Sequence, residues 1–111
     1  MLTTLNSPTT IEAGRIDPIH PGEVLLHEFM APLGLSANAL AGRMGVPANR
    51  ISTIAAGKRG ITGDTALRLA AAFGTTAEFW MNLQKRWELE VARDAFEGRA
   101  GFTPPPRDMA G

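Results

Sequence analysis

"GVPANRIS", residues 45–52, halts a helical pattern and restarts it within a few positions. Gly45 and Pro47 are poor interior helix residues, the first through its conformational freedom and the second through its missing N–H. An apolar spacing nevertheless resumes at once with Ile51 and Ile54. The interruption therefore separates two short segments. "SANALAGRM" (36–44) precedes it, with Ser36 as N-cap, and a second helix is predicted from about Pro47 to Ala56. Two short helices joined by a tight turn containing Gly form a helix-turn-helix. Each spacing has a physical reason. Ala41 is small where the helices cross, Gly45 supplies the turn and Val46 fills the gap beneath it. Leu40, Met44, Ile51 and Ile54 supply apolar seating.

The phase of the second segment follows from its anchors. With Pro47 at zero, Ile51 and Ile54 fall at about 40° and 340° and face inward. Asn49, Ser52 and Thr53 fall at about 200°, 140° and 240° and face outward, with Ala48 and Arg50 on the flanks. Small amides and hydroxyls on the outer face of a short helix suit the DNA major groove, where an amide pairs bidentately with adenine. Competing roles exist for the same residues. Asn49 could cap the helix, Arg50 could pair with Glu28 or Asp64 inside the chain, and Lys58 with Arg59 could be a solvated loop.

Charge distribution supports the nucleic-acid reading more than net charge does. The 111 residues carry a formal charge of zero. Residues 1–34 sum to −3, residues 64–111 to −1, and residues 35–63 contain no acid and sum to +4. That basic block comprises Arg43, Arg50, Lys58 and Arg59 around the second helix, where phosphates would lie. Ser36 is placed with them as a phosphate-facing group. The chain has no cysteine, which excludes disulfides and thiolate metal sites and fits a reducing cytosol. No basic-then-apolar leader opens it, and no apolar run approaches the roughly 20 residues of a membrane span. A cytoplasmic protein with no membrane association is expected.

Outward from the centre, the pattern is all-α. Residues 1–19, rich in Thr, Ser, Pro and Asn, read as a flexible N-terminal arm. "HPGEVLLHEFMAPLG" (20–34) predicts a first helix with Pro21 early in it and an end at Pro32 and Gly34. "DTALRLAAAFG" (64–74) predicts a fourth, capped by Thr62 or Asp64. A long fifth helix is expected from about Thr76 to Phe96, with Phe79, Trp80, Leu83, Trp87 and Val91 three and four apart. Trp80, Leu83, Trp87 and Val91 are candidate dimer contacts, with intramolecular core as the other reading; within a mixture of the two, Phe79 and Leu83 are expected to face inward and Trp87 and Val91 partly toward a second subunit. The folded domain spans residues 20–96, its helix-turn-helix about 36–56. Residues 97–111, with a Pro run, read as a flexible tail.

The stretches "HPGE", "NRIS", "GKRGIT", "DTALRLA" and "FWMNLQ" lie in a region, residues 19–93, that resembles the HigA-type antitoxins of bacterial toxin–antitoxin modules. These belong to the larger group of Cro/repressor-like helix-turn-helix proteins. The resemblance implies a five-helix homodimer on a palindromic operator in its own promoter, and a RelE-type ribonuclease toxin as partner. Carried over by position, Ala48, Asn49, Ser52 and Thr53 match base-facing sites, and Arg50, Lys58 and Arg59 match phosphate-facing ones. Ala48 departs from the polar residue common there, which leaves apolar contact with a thymine methyl.

Other chemistry finds little footing. His27–Glu28 begins a zinc-protease pattern, but Ala31 stands where the second histidine would be. His20, Glu23 and His27 share roughly one helical face, yet His20 is better placed as a cap. "GK" at 57–58 lacks the other residues of a phosphate loop. No metal or other cofactor is expected, and no nucleophile–base pair indicates an enzyme. The functional expectation is an antitoxin that binds DNA, neutralises a ribonuclease and represses its own operon. The alternative is a stand-alone helix-turn-helix regulator.

Overall fold

A computed structural model describes residues 17–97. Within them the chain forms five helices and no strand: α1 (Pro21–Leu33), α2 (Ala37–Met44), α3 (Ala48–Ala55), α4 (Gly63–Phe73) and α5 (Ala77–Glu97). The all-α expectation and the Cro/repressor-like five-helix plan hold. Most of the predicted arm and all of the predicted tail beyond residue 97 lie outside the described residues. No single described helix is long and apolar enough to cross a membrane.

Local chemistry accounts for the helix ends. Ser36 Oγ accepts from the Ala39 amide at 3.1 Å and opens α2. Thr62, rather than Asp64, caps α4 by accepting from the Thr65 amide. Gly45 closes α2 in the left-handed region at φ 71°, which a side chain would resist. Helix α1 is less regular than its sequence implies. Residues Leu25–Met30 form a wider π turn, with the Ala31 amide bonding to the Leu26 carbonyl. Pro32 does not end the helix, which runs on to Leu33 before Gly34. Its ring has no N–H for the preceding turn, and the wider register leaves room for it.

The core gathers at the crossings. Helices α1 and α2 meet at 97°, and the fully buried Leu25, Leu40, Ile51, Ile54, Leu69 and Trp80 come from all five helices. Ala41 is 2 % exposed between α2 and α3. Trp80 lies at the centre of an aromatic group, with ring centroids 5.0 Å from both Phe29 and Phe79 and 6.4 Å from Phe73. Its indole N–H donates to Thr75 Oγ1 at 2.8 Å. This overturns one expectation, since Trp80 is 0 % exposed and has no surface to offer a second subunit. Phe79, expected to face inward, is 37 % exposed. Phe29 and Phe73 settle which stripe of α5 turns inward.

The "HPGE" segment locks α1 against the end of α3. His20 is the N-cap, its Nδ1 accepting from the Gly22 amide at 2.8 Å, and it is 6 % exposed. Trp87 meets the imidazole edge-on, centroids 4.7 Å apart. Burial holds the pKa of His20 below the ordinary 6.5, with Glu23 opposing. The capping nitrogen must be unprotonated to accept. The unfolded chain takes up the proton near 6.5, whereas the folded chain resists it. Stability from this group is therefore complete above that pH and declines as pH falls below it. We expect the melting temperature to drop from pH 7 to pH 5, and His20→Asn, a cap that does not titrate, to flatten that drop. A slope that persists in His20→Asn assigns it to other groups. Asp64 acts in a separate window, below its ordinary 3.8.

Candidate nucleic-acid interface

Helix α3 has no side-chain cap, because Pro47 occupies the N-cap position. Asn49 is therefore not the capping residue, and its side chain is exposed with no hydrogen bond to a described residue. Ser52 is exposed beside it, its hydroxyl donating to the Asn49 carbonyl at 3.3 Å. Thr53 is half-buried, donating to the same carbonyl at 2.6 Å, so its methyl is its more available part. Ala48 is half-buried and packs against the core rather than standing clear of it. The outward ridge of α3 is thus narrower than the helical angles imply. Asn49 and Ser52 form its crest, Thr53 and Ala48 its shoulders.

The basic block divides into two kinds of residue. Arg50 is held, its Nη1 2.9 Å from Asp64 Oδ2 across to α4, and not paired with Glu28. The same carboxylate oxygen takes Arg68 Nε at 3.0 Å, and Arg68 Nη1 reaches the Met44 carbonyl at 2.7 Å. Those two guanidinium groups keep the Asp64 carboxyl below its ordinary range, Arg68 contributing most. Asp64 and Arg68 thereby tie α4 to α3 and close the last turn of α2. Asp64 is one of the two partners the sequence offers for Arg50, whereas the part played by Arg68 is not legible there, because its contact with Met44 joins residues 24 positions apart. Arg43, Lys58 and Arg59 are exposed and form no ion pair among the described residues.

Lys58 and Arg59 follow α3 on a short, ordered turn. Gly57 takes φ 77°, its amide bonding to the Ile54 carbonyl and the Lys58 amide to the Thr53 carbonyl, both at 2.9 Å. This paired closure points the chain back toward α4 and leaves both cationic side chains in solvent. Ser36, at the start of α2, is exposed; its oxygen caps the helix while its hydroxyl proton stays free to donate.

The expected dimer contacts on α5 are dispersed by the structure. Trp80 is interior, Leu83 is half-buried against the core, and Trp87 is half-buried against His20. Val91 is 39 % exposed, and Leu89, not foreseen, is 47 % exposed.

Two helices crossing at a glycine turn, the second with an open polar crest, define a helix-turn-helix protein. A helix-turn-helix family model matches residues 26–80. Virulence-associated protein I of Dichelobacter nodosus is 47 % identical over 85 residues, covering 75 % of this chain and 79 % of its own. Antitoxin HigA-1 of Vibrio cholerae is 40 % identical over 88 residues, covering 79 % and 83 %. The structure of Pseudomonas aeruginosa antitoxin HigA with the higBA promoter superposes with a TM-score of 0.76 at 40 % identity, over 81 % of this chain and 98 % of that one. The chain belongs to the HigA-type family of helix-turn-helix antitoxins.

Proposed function

We propose that this protein is a DNA-binding antitoxin that occupies an operator in its own promoter as a homodimer and neutralises a RelE-type ribonuclease encoded beside it. It works in the cytoplasm, without a cofactor and without catalysing a reaction. The observation that carries the reading is the crest of α3. Asn49 and Ser52 stand exposed, flanked by Arg43, Lys58 and Arg59, and the related Pseudomonas HigA has been captured with promoter DNA.

In this reading Asn49 reads a base edge through its amide, Ser52 and the Thr53 methyl supplement it, and Ala48 meets a thymine methyl. Arg43, Lys58, Arg59 and the Ser36 hydroxyl take phosphates, which set register rather than sequence. Arg50 is braced by Asp64, so its share is an oriented edge rather than a loose charge. Dimerisation uses α5 through Val91 and the exposed parts of Leu83 and Trp87, without Trp80.

The test is titration of the upstream promoter fragment and a scrambled duplex, followed by fluorescence anisotropy. Asn49→Ala costs about 1–3 kcal/mol on the promoter and little on the scrambled duplex. Lys58→Ala weakens both alike and lowers the salt slope by about 1 per site. Three free cations per protomer give a dimer a slope of about −5 in log K against log salt. Equal binding of both duplexes by wild type and Asn49→Ala would remove α3 as the reader. The partner is decided by the neighbouring reading frame and co-purification. A small basic protein copurifying with this one supports the antitoxin, and its absence leaves a stand-alone regulator.

A further inference from the structure

We propose that Gln84 is a positioning residue for DNA binding, holding the Lys58–Gly60 turn in its phosphate-facing pose through a hydrogen-bond relay from α5. The proposal rests on the operator reading above. Gln84 is 6 % exposed, one of few buried polar side chains among the described residues, and both ends of its amide are hydrogen-bonded. Its Oε1 accepts from the Ile61 amide at 2.8 Å. Its Nε2 donates to Glu88 Oε2 at 2.7 Å.

The relay has a direction imposed by chemistry. Glu88, as a carboxylate, can only accept, so it selects the amide orientation in which nitrogen points toward it. The carbonyl is then left for Ile61. Without that acceptor, the buried Ile61 N–H would go unpaired. Sterics tighten the same contact. A Cβ on Gly60 would lie 2.8 Å from Gln84 Nε2 and 3.0 Å from Oε1, so the backbone approaches the amide more closely than alanine allows. Ile61 itself is 3 % exposed and anchors the turn in the core.

The turn that carries Lys58 and Arg59 is therefore fastened at both ends. The Lys58 and Gly57 amides tie it to α3, and the Ile61 amide ties it to α5. Between the Lys58 and Ile61 ties lie Arg59 and Gly60, and Gly60 is itself packed against the Gln84 amide. Gln84 makes no hydrogen bond to either cation among the described residues; it acts by fixing the backbone from which they project.

The experiment uses the full chain and three variants: Gln84→Glu, Glu88→Ala and the exchange Gln84→Glu/Glu88→Gln. Two readouts are taken, hydrogen exchange of the Ile61 amide without DNA and the salt slope of promoter binding. Gln84→Glu sets two carboxylates side by side, and Glu88→Ala frees the amide to flip. Each single variant is expected to speed Ile61 exchange about tenfold or more and to lower the dimer's salt slope by about 1–2. The ratio of promoter to scrambled binding stays unchanged. The exchange variant, in which residue 84 accepts from both Ile61 and residue 88, restores both readouts. Glu88 is exposed, so its variant keeps the test open if Gln84→Glu fails to fold. Single variants indistinguishable from wild type, or a double variant no better than Gln84→Glu, overturn the proposal. Wild-type binding to the promoter with a Lys58→Ala effect is the separate check on the operator reading. If that check fails, the Ile61 exchange rates still decide whether the relay exists.

Discussion

Gly22→Ala lowers the stability of the folded chain by about 3 kcal/mol or more, a loss at the upper end for overpacking because a Cβ has no rotamer to escape into and the group it strikes is backbone. A Cβ at this position would lie 2.8 Å from the Ile54 carbonyl carbon and closer still to its oxygen. That oxygen cannot swing aside, since it accepts from the Gly57 amide at 2.9 Å in the closure of α3. The same Cβ would crowd the capping nitrogen of His20 at 3.0 Å. Relief requires α1 to lift away from α3, which disturbs the support of that helix together with the cap. Thermal melting should fall by about 12 °C or more, at roughly 4–8 °C per kcal/mol for a domain of this size. Gly63→Ala is the matched control. Nothing lies within 4 Å of its Cβ, and alanine in the first turn of α4 should be neutral or mildly stabilising. A Gly22→Ala protein melting within about 2 °C of wild type would show that α1 does not need this close approach.

Trp80→Ala is the second large effect, at about 3–5 kcal/mol. The indole is wholly buried among Phe29, Phe73 and Phe79, and its removal leaves a void bounded by rings from α1, α4 and α5. Rings held by three separate helices cannot all close on the space, so the loss stays near the full value. Against a typical total of about 5–15 kcal/mol, the variant should be partly unfolded at room temperature, with weakened near-ultraviolet dichroism and dye binding. Trp80→Phe keeps most of the volume and forfeits the bond to Thr75 Oγ1, for a loss of about 1–3 kcal/mol. Chemical denaturation should order wild type, Trp80→Phe and Trp80→Ala in that sequence. Val91→Ala supplies the contrast on the same helix. Val91 is 39 % exposed, so its truncation should leave denaturation of the protomer nearly unchanged and act, if at all, on sedimentation. A Trp80→Ala protein as stable as Trp80→Phe would mean that the aromatic group does not depend on its central ring.

These two positions also mark where reading the chain stops being sufficient. The helix-turn-helix was legible because its determinants are local: a cap at Ser36, a left-handed Gly45, and Ile51 with Ile54 setting the phase of α3. The same phase put Asn49 and Ser52 outward without any knowledge of neighbouring helices. His20 as the first cap was likewise a matter of adjacent residues. Long helix α5 was different. It carries apolar residues on more than one side, and its sequence does not say which side meets Phe29 and Phe73. Trp80 looked as suitable for a second subunit as for the interior.

What the sequence by itself determined is the succession of helices, their caps and the outward crest of α3, because each depends on residues within one or two turns. Only the tertiary structure decided that Arg50 is braced by Asp64, that Gly22 abuts Ile54, that Gln84 reaches Ile61 and that Trp80 is interior. Those contacts join residues 14 to 32 positions apart or select among faces of equal hydrophobicity. They are fixed when helices already formed compete for a single shared interior, and periodicity within one helix carries no record of that competition.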